Sequence, residues 1–202
     1  MKAFGFLSFG HYAFGGQRGP SAEDMAKIHL DLAQAADEIG VNNASFRVHH
    51  FVPQASAPMP LLGAVAGSTK HIEVGTGVID MRYENPLYLA EEAASLNQIA
   101  RGRVALGVSR GAPEVADRGW KSFGYNSEAP NGADLARANF EKFMAAIDGY
   151  GMATAARWRT STPTCISRVP SCRSSRTPLS CARTSSGVLA RTAPRSRPPR
   201  MA

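Results

Sequence analysis

The feature that most constrains this chain is an alternation within residues 1–150. A strand-like apolar run is followed by a helix-like amphipathic segment, four times in succession. Strands are expected over 3–9, 44–48, 71–78 and 103–108. The first, aromatic-rich, reads as buried on both faces. Between them lie helix signals. Ser21 with Asp24 three positions on is a variant of the capping box. Met25, Ile28, Leu32, Ala35 and Ile39 then recur at helical spacing and read as that helix's buried stripe, with Gly40 as the stop. Leu61, Leu62, Val65 and Ala66 suggest a short helix beyond Pro58 and Pro60. Asn85-Pro86 supplies an N-cap with proline at the first helical position, ahead of a stripe of Leu89, Ala93, Leu96 and Ile99 that Gly102 ends. After a loop over 111–132, Leu135, Phe140, Phe143, Met144 and Ile147 form a fourth stripe.

Such alternation predicts parallel strands joined by right-handed crossovers, in either a doubly wound sheet or a barrel. A complete (β/α)8 barrel takes about 250 residues. Here the alternation stops near Tyr150, after four units.

Beyond that point the composition changes. The net charge of +7 and pI near 9.7 would by themselves suggest a nucleic-acid or membrane-surface partner. They average two unlike regions. Residues 1–150 carry 13 basic and 16 acidic side chains, a net charge of −3, and residues 151–202 carry ten arginines, no lysine and no acid. Arg, Ser, Pro, Thr and Ala make up 39 of those last 52 residues. A tail of this kind reads either as out-of-frame translation of a GC-rich gene or as a disordered basic arm. The near absence of lysine, glycine and interleaved aromatics argues against nucleic acid as its partner. No run of about 18 apolar residues spans a bilayer. The apolar run over 3–9 is interrupted by Gly10, His11 and Tyr12 and lacks a small-residue cleavage site, so a strand is expected rather than a targeting segment. All three cysteines lie beyond residue 150, so neither a disulfide framework nor a thiolate metal site is available before it. A cytoplasmic domain without a metal site is the expectation.

In parallel α/β folds, chemistry gathers at the C-terminal ends of strands. Three groups fall there. His49-His50 follows the second strand, and an imidazole there can serve as a general base near neutral pH. Alternatively, one histidine packs and the other caps a loop. Gly75-Thr76-Gly77-Val78 closes the third strand, as a close approach for a flat ring or as a tight turn. Ser109-Arg110-Gly111 follows the fourth, where Arg110 is suited to a phosphate or to an ion pair with Glu114 or Asp117.

At these same strand ends the sequence resembles the bacterial luciferase-like, flavin-dependent monooxygenases. The matching segments are Phe46-Arg47-Val48-His49-His50-Phe51, Val74-Gly75-Thr76-Gly77-Val78, Asn85-Pro86-Leu87, and Arg101-Gly102-Arg103 running on to Ser109-Arg110-Gly111. The opening strand through Tyr12 fits as well, and the resemblance extends over about residues 2–150. It implies a (β/α)8 TIM-barrel type of fold, represented by about the first four βα units, with 1–150 as the N-terminal half of the barrel and 151–202 as the tail. It implies reduced FMN, supplied by a flavin reductase, reacting with O2 to oxygenate a small organic substrate; in some branches a deazaflavin coenzyme replaces FMN and the reaction is hydride transfer. His49 matches the base near the flavin ring, with His50 beside it. Gly77 and Val78 match a strand end that can hold a cis peptide against the ring, and Arg110, next to Ser109, matches a phosphate contact. Val48 stands where an acidic residue is often found, which points to a difference in specificity or ring polarisation. A homo-oligomer is implied by the resemblance. A non-functional, truncated fragment is the third outcome left open.

Overall fold

The computed structural model describes residues 3–111 and 115–153. The tail, with its out-of-frame or disordered reading, lies outside the described residues from position 154 onward.

Element order follows the expected alternation: β1 (Gly5–Ser8), α1 (Ala22–Glu38), β2 (Asn43–Phe46), α2 (Pro58–Ser68), β3 (Glu73–Thr76), β4 (Ile79–Asp80), α3 (Pro86–Ile99), β5 (Val104–Ala105), β6 (Val108–Ser109), a 3-10 turn (Gly119–Phe123) and α4 (Ala133–Ile147). The expected third strand stops at Thr76 and resumes as β4 beyond its expected end at position 78, and the expected fourth is broken in two. β3 and β4 are separated by Gly77-Val78, whose peptide bond is cis, and β5 and β6 by Leu106-Gly107. These short strands pair separately, β3 with β5 and β4 with β6, both in parallel.

Strand order decides between the two architectures open to the sequence. The main sheet runs β1-β2-β3-β5, all parallel, with no reversal. A doubly wound sheet reverses its order at a switch point; an order that only advances belongs to a barrel wall. The helices agree, since each packs on its successor: α1 on α2, α2 on α3 and α3 on α4. The fold is therefore α/β of the TIM-barrel type, with consecutive units of the wall present.

Local chemistry explains the helix starts. Ser21 Oγ accepts the Asp24 N–H at 3.0 Å while the Asp24 carboxylate accepts the Ser21 N–H at 3.0 Å, closing the capping box. Asn85 Oδ1 accepts from Leu87 and Tyr88, with Pro86 at the first helical position.

Two expectations are corrected by the packing. The stripe assigned to the buried face of α1 points outward: Ile28, Leu32 and Ile39 are 45%, 41% and 79% exposed. The buried face is His29, Ala33 and Ala36. Small side chains let the helix approach the sheet, and His29 fills the remaining gap, its ring edge-on to Phe46 at 5.0 Å and its Nε2 3.0 Å from Ser8 Oγ. Burial holds the His29 pKa below the usual imidazole value. The second correction concerns β1. It is an edge strand with alternating exposure rather than a strand buried on both faces, and Leu7 is 41% exposed.

The core lies between sheet and helices, with Phe46, Leu62, Ile72, Val74, Leu89 and Phe143 each at most 1% exposed. Gly75 illustrates its tightness. A Cβ there would stand 2.1 Å from the Ala105 carbonyl oxygen, so this glycine permits close approach of two strands rather than of a flat ligand ring.

Candidate active site at the strand ends

The sheet places the C-terminal ends of its strands along one edge, and the loops that follow carry the polar groups singled out by sequence. Residues 47–49 follow β2 directly, and His49 and His50 end in different surroundings. His49 is half-buried and lines a cavity of about 540 Å3 with Phe9, His11, Arg47 and Gln54. His49 Nδ1 lies 3.1 Å from the His50 carbonyl oxygen. A carbonyl only accepts, so Nδ1 carries the proton, and in the neutral ring Nε2 keeps the lone pair. That leaves Nε2 as the basic atom.

His50 is different. It is 8% exposed, and its ring lies on Tyr83 with centroids 4.3 Å apart and against Phe123 at 5.2 Å. Burial depresses its pKa; the charge on Asp80 offsets part of this, and His49 adds to the depression. Its Nε2 is buried without a hydrogen-bond partner. The two histidines offered by the sequence thus separate into one facing a cavity and one held neutral in an aromatic cluster.

A second cavity, of about 530 Å3, opens beyond β4 and β6. Arg82, Arg110, Arg118 and Trp120 line it, together with Asp117. Arg110 is exposed at its wall; Glu114, one of the two ion-pair partners expected for it, lies outside the described residues. Ser109 shapes the turn: its hydroxyl donates to the Ile79 carbonyl at 3.4 Å and accepts the Gly111 N–H at 3.2 Å. Gly77 and Val78 lie between β3 and β4, and a Cβ on Gly77 would meet Leu7 at 2.6 Å.

Several site residues were missed by sequence reasoning. Asp80 and Arg82 form a buried ion pair, with Arg82 Nε 3.0 Å from both carboxylate oxygens and Nη2 2.5 Å from Oδ2. Arg82 also donates to the Asn131 carbonyl at 3.2 Å, and its guanidinium stacks 5.0 Å over Trp120. The available signal was two opposite charges, two positions apart, directly after an apolar strand. Glu84 follows them. Burial first, then the charges of Glu92 and Asp80, push its pKa up to about 7. Gln54 and Trp120 carried no sequence signal. Yet Gln54 Oε1 and Trp120 Nε1, with His50 Nε2, are the buried side-chain polar atoms without a partner among the described residues. All three belong to loops that follow strand C-terminal ends.

Among the described residues no cluster of His, Cys, Asp or Glu is arranged to hold a metal ion. No described helix is long and apolar enough to cross a membrane.

Comparison with known proteins identifies the family and the fold. The family model described as luciferase-like monooxygenase matches residues 1–156. The oxygenase component of flavin-dependent trigonelline monooxygenase from Acinetobacter baylyi is 36% identical over 85 residues, covering 41% of this chain and 24% of that protein. Among solved structures, the oxygenating constituent of 3,6-diketocamphane monooxygenase from Pseudomonas putida, in complex with FMN, superposes with a TM-score of 0.62 at 21% identity, over 77% of this chain and 42% of that one. An F420-dependent secondary alcohol dehydrogenase superposes with a TM-score of 0.55 at 20% identity, over 76% of this chain and 44% of that one. At these identities the structures show the fold alone, and the chain spans less than half the length of each of these three proteins. The family rests on the sequence match, which takes in well over half of the chain: the protein belongs to the luciferase-like monooxygenase family.

Proposed function

We propose that this chain carries the N-terminal part of a flavin-dependent monooxygenase site, which uses reduced FMN and O2 to oxygenate a small organic substrate. The observation that carries the reading is the clustering at one sheet edge of a base-competent His49, an arginine-lined cavity and three unpartnered buried polar atoms. Polar groups left unsatisfied in a native fold call for a ligand or water to complete them.

The donor set fits a phosphorylated flavin. Arg110 and Arg118 supply guanidinium forks, and the Trp120 ring lines the same cavity. Arg82 contributes less charge, because Asp80 neutralises it. When bound, the reduced flavin supplies the electrons that activate O2. The protein's own tasks are then positional and acid–base. Arg110 and Arg118 anchor an anion, and the buried Tyr83 and His50 rings exclude water from the strand ends. His49 Nε2 accepts or returns a proton, with its ring orientation held by the Nδ1–H bond to the His50 carbonyl. A flavin reductase, a homo-oligomeric assembly and a cytoplasmic setting accompany this reading.

The test is anaerobic titration of the full chain with reduced FMN and, separately, with reduced F420. Reduced FMN should bind, and Arg110→Ala should weaken it at least about tenfold, as loss of a charge-assisted phosphate contact does. Binding of F420 without FMN would move the assignment to the deazaflavin-dependent oxidoreductases of the same fold. Binding of neither would mark the chain as a fragment without the activity.

A further inference from the structure

We infer that the cavity beside His49 takes the carboxylate of a small aromatic acid, and that Arg47 is the residue that selects it. The inference rests on the monooxygenase reading above and names the substrate class for the same site.

Four observations support it. First, Arg47 leaves β2 on the cavity side, and its guanidinium carbon lies 5.1 Å over the Phe9 ring, which lines the same cavity. It is half-buried, and among the described residues it forms no ion pair; those present are Lys27–Asp31 and Asp80–Arg82. A partly desolvated guanidinium without an anion of its own is poised for one from a ligand. Second, the polar lining is cationic or neutral. His11, His49 and Gln54 accompany Arg47, and no described lining residue is acidic.

Third, Gln54 is 7% exposed, its Nε2 contacts His11 Nε2, and its Oε1 has no partner. Rotating the amide by 180° turns the His11 contact into an N–H to oxygen bond and leaves the NH2 group unpaired. In either orientation the unpaired atom is closed to solvent, so Gln54 holds His11 in the lining and leaves Arg47 as the charged donor to a carboxylate. Fourth, the remaining wall is flat and apolar. Phe9 and His11 are stacked with ring planes 7° apart, and Val52, Pro53 and Val115 complete the surface. A planar body with one anionic group matches both parts of the lining. The volume lies within the range of small-molecule pockets.

The experiment is a calorimetric comparison of benzoate with its neutral isostere benzamide on the full chain. Flavin is left out, so a negative result bears on this cavity and not on the cofactor, which the reduced-FMN titration tests separately. Benzoate should bind at least about tenfold more tightly than benzamide, the increment expected of one charge-assisted contact in a partly desolvated site. Arg47→Gln should abolish that preference, and Arg47→Lys should restore part of it; unchanged thermal midpoints would show that both variants are folded. Equal affinity for the two probes, no benzoate binding, or a preference that survives Arg47→Gln would each overturn the inference.

Discussion

The two ends of the parallel sheet are built differently. At the N-terminal end, polar side chains are used to capacity. Asp37, in the last turn of α1, accepts backbone N–H bonds from Lys70, His71 and Ile72, each at 2.7 Å. Arg103, just before β5, donates to the carbonyls of Ala66, Thr69 and Ile72 and to Thr69 Oγ1, at 2.7–3.0 Å. Between them they tie α1, the end of α2 and the starts of β3 and β5. At the C-terminal end the pattern reverses. His50, Gln54 and Trp120 each hide a polar atom without a partner, Glu84 has its pKa raised by burial, and two cavities open. One end is satisfied and serves stability; the other stays unsatisfied in a way that a ligand can complete.

Substitutions can break this contrast, and His49→Ala should have the largest effect. Loss of a general base lowers turnover roughly 10²–10⁴-fold, about 3–5 kcal/mol in the barrier. The urea midpoint should stay close to the parent value, because the ring is half-buried and holds only its neighbour's carbonyl. A large stability loss would mean that this end is scaffold too. Asp37→Ala is the converse. Burial raises the pKa of this carboxyl, but the three N–H bonds together outweigh it and hold the group below its usual value. Stranding those donors should cost about 3 kcal/mol in urea unfolding while flavin affinity stays unchanged.

Glu84 sharpens the contrast through pH. Its folded pKa of about 7 lies above the unfolded value of 4.5. The stabilising contribution of the protonated carboxyl is therefore complete below about pH 4.5 and lost as pH rises through 7. Glu84→Gln should leave stability near pH 4 unchanged and raise it at pH 8 by about 2 kcal/mol, after allowance for the group's partial contact with water. Equal effects at both pH values would refute the assignment. The smallest change is expected of Trp120→Phe. Removing a buried, unpartnered N–H is offset by the stacking surface lost beneath Arg82, so stability should stay within about 1 kcal/mol of the parent and flavin binding should change no more than about twofold. A stability loss of several kcal/mol would show that the indole is a main support of this end.

Much of the scaffold was legible before the structure, for a local reason. Capping at Ser21 and Asn85, the stops at Gly40 and Gly102, and Leu89, Ala93 and Leu96 of the α3 stripe all depend on residues a few positions apart, and each is present in the fold; Ile99, the last of that stripe, is 55% exposed. The Arg101-Gly102-Arg103 segment was legible as part of a family resemblance, but not for what Arg103 does. Its four bonds reach across more than 30 residues to α2 and the start of β3. In the candidate site, His49, His50 and Arg110 were visible because unusual residue types stand at strand ends. Arg47, Gln54, Asp80 and Trp120 were not, because their roles arise from groups that only the folded chain brings near.

The sequence by itself determined how many strand–helix units the first 150 residues hold, in what order, and where most of the helices start. Those are consequences of spacing and backbone preference within each segment. Only the tertiary structure decided that the strand order advances without reversal, that α1 turns Ala33 and Ala36 rather than Ile28 and Leu32 to the sheet, and that His49 faces a cavity while His50 packs under Tyr83. Periodicity states that a helix has two faces, but which one is covered depends on how closely its neighbours approach.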